Sequence, residues 1–155
     1  NPAMGTAPED IETVKNFFNK VGIAYRTPDD MMRAYWLKFM LNVSANQLSA
    51  IMRLTFGDMQ SNPKSIELLQ KIMDEVLQIA KAEGVQNTDT MIEEAMVGFN
   101  GMIPEGKTSM LQDVEAGRKT EVEMFAGTII ELGKKHNIPT RYNLVMKDMI
   151  ESIKR

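Results

Sequence analysis

Lys38, Asn42 and Asn46 recur at a four-residue interval in the otherwise apolar run Lys38-Phe-Met-Leu-Asn42-Val-Ser-Ala-Asn46. On an α-helix this spacing keeps all three within about 80° of arc, along roughly 12 Å of axis. Asparagine is a mediocre helix former, so two of them cost stability unless they are exposed or bonded. Two readings fit: a solvated polar face, or a polar seam or cleft wall. Leu41, Val43, Ala45 and Leu48 leave little of the helix polar, which favours the second.

A second constellation lies in Lys107-Thr-Ser-Met-Leu-Gln-Asp-Val-Glu-Ala-Gly-Arg-Lys-Thr-Glu121, where Gln112, Asp113, Glu115, Arg118 and Glu121 crowd one segment. Ser109 at a helix start is first a cap, but the same position exposes backbone N–H groups that would suit a carboxylate. Glu121 would lie about 18 Å further along the same axis if the helix is continuous. It reads either as a surface glutamate or as a partner for Lys38 across a cleft. His136, the single histidine, sits beside Lys134, Lys135 and Asn137 and reads as a partner of a helix C-terminus. With one histidine and no cysteine, a zinc site or a Ser-His-Asp triad is not expected, and no metal site is assigned. Gly98-Phe-Asn-Gly101 has neither a preceding strand nor a following Lys-Ser pair, so it is no phosphate loop. No G-x-G-x-x-G occurs, and the chain by itself cannot make the standard dinucleotide-binding turn.

The elements that must position these residues are helical nearly throughout. Pro8-Glu-Asp10 suits a first turn, with Ile11, Val14, Phe18 and Val21 at helical spacing and Gly22 as the stop. Ile23–Thr27 is the one segment with strand character. Pro28-Asp-Asp30 opens a helix running into the fifties. Thr55–Lys64, punctuated by Gly57 and Asn62-Pro63, reads as a loop. A helix over Ser65–Lys81 ends at Gly84, another follows the N-cap candidate Thr88, and Gly101–Gly106 breaks it. Thr108 or Ser109 then caps one long helix to Lys134–Asn137, and Ile138-Pro139 stops it before a last helix from about Asn143. The predicted class is all-α.

The 155 residues fit one domain. A hydrophobic content of 43% with 25% charged residues is ordinary for a soluble globular protein. The formal net charge of −3 gives no electrostatic reason to expect nucleic acid or an anionic membrane. No apolar run approaches the roughly 18–20 residues of a membrane span. The absence of cysteine is compatible with the cytoplasm. The fourteen methionines read as core filler, with an adaptable interaction surface as the alternative. Asn1-Pro-Ala3, ahead of Met4, is given no role.

Together, Lys38-Asn42-Asn46, Thr108-Ser109-Met-Leu-Gln-Asp, Thr120-Glu121 and Ile138-Pro139-Thr140 before Asn143 resemble the C-terminal domain of the ketopantoate reductases, within the 6-phosphogluconate dehydrogenase-like reductases. The likeness covers nearly everything from Asp30 onward. It implies a helical substrate-binding domain over residues 28–155, with residues 1–27 the remnant of an upstream nucleotide-binding domain. It also implies reduction of ketopantoate, or another 2-keto acid, to the hydroxy acid with NADPH, in pantothenate biosynthesis and in the cytoplasm. By the same resemblance Lys38 is the general acid, Glu121 its catalytic neighbour, and Asn42, Asn46 and Ser109 bind substrate. The cofactor's main site falls in the missing domain, so the isolated chain is expected to be inactive. The competing class is a helical dimerisation or interaction module, and a homodimer suits either. A strand, a G-x-G-x-x-G turn and a helix within about 170 residues upstream would decide for the reductase.

Overall fold

The computed structural model describes residues 6–153, so Asn1-Pro-Ala3 lies outside the described residues. The helices are α1 (Pro8–Val21), α2 (Met31–Leu41), α3 (Gln47–Met52), α4 (Phe56–Gln60), α5 (Pro63–Ala82), α6 (Met91–Asn100), α7 (Ser109–Glu115), α8 (Thr128–His136) and α9 (Arg141–Glu151). Two π-helical turns interrupt them, Asn42–Asn46 between α2 and α3 and Glu123–Gly127 ahead of α8. No strand occurs among the described residues, and Ile23–Thr27 is irregular.

Helix α5 is the axis of the domain. Asn62 starts it by accepting from the backbone N–H groups of Lys64 and Ser65, with Pro63 pre-set in the first turn. It then buries Leu69, Ile72, Met73, Val76 and Ile79, each worth about 1.5–3 kcal/mol relative to exposure. Helices α2, α4, α6, α8 and α9 and the first π turn pack around it. Met40, Met59, Met73, Met91, Met110 and Met146 are buried in the core, whereas Met32, Met52, Met124 and Met149 are exposed. The start of α2 is held twice: Asp30 accepts from the Arg33 N–H, and the Arg33 guanidinium forks onto Glu94 of α6.

Among the described residues, three of the four helix ends with a left-handed glycine or asparagine and paired returning N–H groups fall where the sequence indicates. At Gly22, Gly84 and Asn137 a left-handed residue ends the helix and paired N–H groups fold back to the last carbonyls. The fourth is the principal departure from the sequence reading. Gly117, at φ +65°, ends α7 with Gly117 N–H donating to the Val114 carbonyl and Arg118 N–H to that of Asp113. The expected long helix is therefore two, and Glu121 is not on the axis of Ser109.

Smaller departures have local causes. The Thr55–Lys64 loop contains α4, started by a capping box in which Thr55 and Asp58 bond each other's backbone N–H. Gly57 lets Pro104 sit so close that a Cβ would lie 2.8 Å from it. Across that gap Gly57 N–H donates to the Pro104 carbonyl and Phe56 N–H to that of Gly106, pinning the 101–106 loop. The N-cap of α6 is Thr90 rather than Thr88.

Candidate functional site

The lysine and the two asparagines stand where α2 gives way to the first π turn. From Lys38 to Asn42 the α-helix overshoots a full turn by about 40°. The π turn takes more residues per revolution, so the step from Asn42 to Asn46 falls short of a turn. The two offsets oppose each other. The three residues form a straighter column than the 80° spread expected of a uniform helix.

Burial along this column is steep. Lys38 is exposed, Asn42 is half-buried and Asn46 is 8% exposed. Across residues 43–50 every side chain is buried, four of them polar. Ser44 donates to the Met40 and Leu41 carbonyls, Gln47 to the Val43 carbonyl and to Asn143, and Ser49 to the Leu54 carbonyl. Asn46 alone of the four makes no hydrogen bond with its side chain among the described residues. The Asn46 amide is not among the fully buried unpartnered atoms, so it keeps some contact with solvent and is open to an outside partner.

The Gly117 break redistributes the charges of residues 107–121. Lys107 Nζ pairs with Glu115 at 2.8 Å, and Gln112 donates to the Lys107 carbonyl. Arg118 Nε meets Asp113 at 2.8 Å beside the Schellman turn. These groups, which the sequence reading took as signs of a site, staple a seven-residue helix and its end. Ser109 and Glu121 are left, both exposed and both without a side-chain partner among the described residues. The cap of α7 is Thr108, whose hydroxyl accepts from the Leu111 N–H, so the Ser109 hydroxyl is free of that duty. Thr120, next to Glu121, has a buried hydroxyl without a bond partner.

The elements carrying these residues meet. The first π turn packs against α7, which Ser109 opens, and against the second π turn, which begins two residues after Glu121. Lys38, Asn42 and Asn46 thus share one continuous helical run, Ser109 opens a helix packed on it, Glu121 shortly precedes a turn packed on it, and none of the five side chains has a partner among the described residues. Several charged groups elsewhere are held in specific pairs. Glu94 is held down to about 2 by hydrogen bonds from Arg33 and then Thr90, and Glu67 to about 2 by Lys64 and Lys71. His136 and Lys135 both engage Glu83 at the end of α5, and Lys135 with His136 holds that carboxyl below its ordinary value. His136 is spent on a surface contact with Glu83. No group of three metal-ligating side chains forms among the described residues.

The sequence reading missed Gln47 and Asn143 as parts of this region. Both are fully buried polar residues on helices with strong apolar periodicity, and that mismatch was the available signal.

The class is an all-α domain, with no strand among the described residues. Residues 30–154 match the family described as "Ketopantoate reductase PanE/ApbA C terminal", and the chain belongs to it. A 2-dehydropantoate 2-reductase of Aquifex aeolicus is 33% identical over 150 residues, covering 92% of this chain and 48% of that protein. The solved 2-dehydropantoate 2-reductase of Geobacter metallireducens superposes with a TM-score of 0.83 at 27% identity, over 94% of this chain and 49% of that one. A D-mandelate dehydrogenase structure with NADH and anilino(oxo)acetate has the same fold, with TM-score 0.83 at 19% identity over 93% of this chain and 48% of its own. The chain spans about half the length of the curated relatives it matches.

Proposed function

We propose that this chain is the substrate-binding and proton-donating half of a 2-dehydropantoate 2-reductase, which converts ketopantoate to pantoate in the cytoplasm on the way to pantothenate. The unbonded Asn46 amide on the floor of the column carries the reading. It offers both donors and acceptors to a hydroxyl- and carboxylate-bearing ligand without adding charge. Lys38, at the rim, has no internal acceptor to compete for its ammonium and serves as general acid for the keto oxygen. Glu121 supports the charged lysine, and Asn42 and Ser109 add hydrogen bonds to substrate.

The residues present do not form a dinucleotide site. There is no G-x-G-x-x-G and, among the described residues, no strand to carry one. NADPH is therefore assigned to a part of the enzyme outside this chain, of which residues 1–27 are the tail. Helix α1, whose apolar Val14, Phe17 and Val21 are half-exposed and which buries no residue, is consistent with that. A homodimer is the assembly we propose, through the exposed Tyr142, Val145 and Met149 stripe of α9. The deciding test is calorimetry and turnover on this chain and on the full-length reductase. The chain alone should show no NADPH affinity at micromolar levels and no turnover, and the full-length protein should reduce ketopantoate. Micromolar NADPH binding by the chain, or a full-length protein inert on 2-keto acids, would overturn the assignment.

A further inference from the structure

A π turn is an uncommon conformation that persists only where its surroundings over-determine it. At Asn42–Asn46 the surroundings are specific. On one side the Ser44 hydroxyl bonds the Met40 carbonyl at 2.8 Å and the Leu41 carbonyl at 3.2 Å. On the other, Gln47 Nε2 donates to the Val43 carbonyl at 2.8 Å. Val43 directly follows Asn42 and Gln47 directly follows Asn46, so this one bond spans the segment that aims both asparagines.

Gln47 is itself held from across the domain. Its Nε2 also donates to Asn143 Oδ1 at 3.1 Å, and Asn143 Nδ2 donates to Glu75 Oε2 at 2.8 Å. Glu75 is anchored in turn, because its two oxygens accept the backbone N–H groups of Tyr142 and Asn143 at the start of α9. Thr140, the N-cap residue there, supplies no side-chain bond, so the carboxylate of α5 does the capping. Gln47 and Asn143 are fully buried and Glu75 is 8% exposed. The chain of donors runs one way, from Gln47 through Asn143 to a fixed anion.

We propose that Gln47 is a positioning residue for the substrate-binding amides, holding the π turn open so that Asn46 faces the same column as Lys38 and Asn42, with Asn143 and Glu75 fixing Gln47 from behind. This rests on the functional reading above. Were the segment to relax to a plain α-helix, Asn46 would rotate several tens of degrees away from Lys38. The donor–acceptor order matters as much as the packing, since the relay works only with an amide between an amide and a carboxylate.

The test has a structural arm and a kinetic arm. Gln47→Met keeps the length and apolar stem of the side chain while deleting both donors. A crystal structure of this variant of the chain should show residues 42–46 relaxed toward α-helix, and backbone amides there should exchange faster. In the full-length reductase KM for ketopantoate should rise about tenfold with kcat changed less than about threefold, because substrate alignment and not proton donation is lost. Asn143→Asp should reproduce the effect by setting two carboxylates together. If Gln47→Met does not fold, Asn143→Ser reads the same relay one bond further back. An intact π turn with wild-type KM in the folded variant overturns the proposal. Should the enzyme prove inert on 2-keto acids the functional reading fails, while the structural arm still decides whether Gln47 holds the turn.

Discussion

Asn46 and Asn143 are the same residue type in the same core, and their surroundings are opposite. Asn143 is fully buried and uses its side chain on both sides, accepting from Gln47 and donating to Glu75. Asn46 is 8% exposed and bonds nothing. The first belongs to a relay in which Gln47, Asn143 and Glu75 bond one another, with only Gln47 Oε1 left over; the second lies in the same helical run as Lys38 and Asn42, whose side chains are likewise unengaged. The difference teaches how to tell a structural polar group from a functional one. A structural polar group has its partners within the fold; under the proposed function Asn46 is one left for a partner that the fold does not supply.

The largest expected effect would come from the exposed end of the unengaged face. In the full-length reductase, Lys38→Ala should lower kcat by about 10²–10⁴, on the order of 3–5 kcal/mol of barrier, because a positioned acid is lost. The melting temperature should barely move, since no described group bonds this side chain. A variant that kept its kcat while melting much earlier would place Lys38 with the structural group instead. Glu121→Ala should reduce turnover less than Lys38→Ala and more than the asparagine variants.

Next comes the engaged region. Glu75→Ala strips the cap from α9 and leaves the Tyr142 and Asn143 N–H groups and the Asn143 amide short of an acceptor. Urea unfolding should show a loss of about 2–4 kcal/mol, and Asn143→Ala a somewhat smaller one. Asn46→Ala is the matched control: folding stability should hold within about 0.5 kcal/mol while KM rises by one to two decades, with Ser109→Ala behaving similarly. Equal stability losses at Asn46 and Asn143 would erase the contrast.

A smaller effect is expected at the turn that separates Ser109 from Glu121. Gly117 has φ +65° with open space where a Cβ would go, so Gly117→Ala should cost about 1 kcal/mol through backbone strain alone. Chemical denaturation is sufficient to measure it.

The smallest concerns the paired surface. Glu94 and Glu67 are held to about 2 against an ordinary 4.5. A depressed carboxylate stabilises the fold above its unfolded-state value, and that contribution fades as pH falls from about 4.5 towards 2. Both pairs are solvated, so the effect is slight. Glu94→Gln should flatten the fall of the urea midpoint between pH 5 and pH 3. An unchanged slope would show that the Arg33 fork contributes nothing to acid sensitivity.

The helices were legible because an amphipathic element must repeat its apolar positions at 3.6 residues, and that repeat is written locally. The Schellman ends at Gly22, Gly84 and Asn137 were legible for a similar reason, as each closes a run after which periodicity stops. Gly117 escaped notice because Val122, Phe125 and Ile129 resume the apolar spacing soon after it. The two π turns were invisible, since one extra residue within a turn leaves no mark on a periodic pattern.

By itself the sequence determined the all-α class, most helix boundaries, the absence of a dinucleotide-binding turn and the residue types gathered at Lys38, Asn42, Asn46, Ser109 and Glu121. Those follow from propensity, spacing and composition, which act over a few residues. Only the tertiary structure decided that Gln112, Asp113, Glu115 and Arg118 staple a short helix, that Thr108 rather than Ser109 is the cap, and that Gln47 and Asn143 face each other across 96 residues of chain. Whether a polar group finds a partner depends on elements remote in sequence, and a buried amide declares its role only once the packing shows what is within hydrogen-bonding reach.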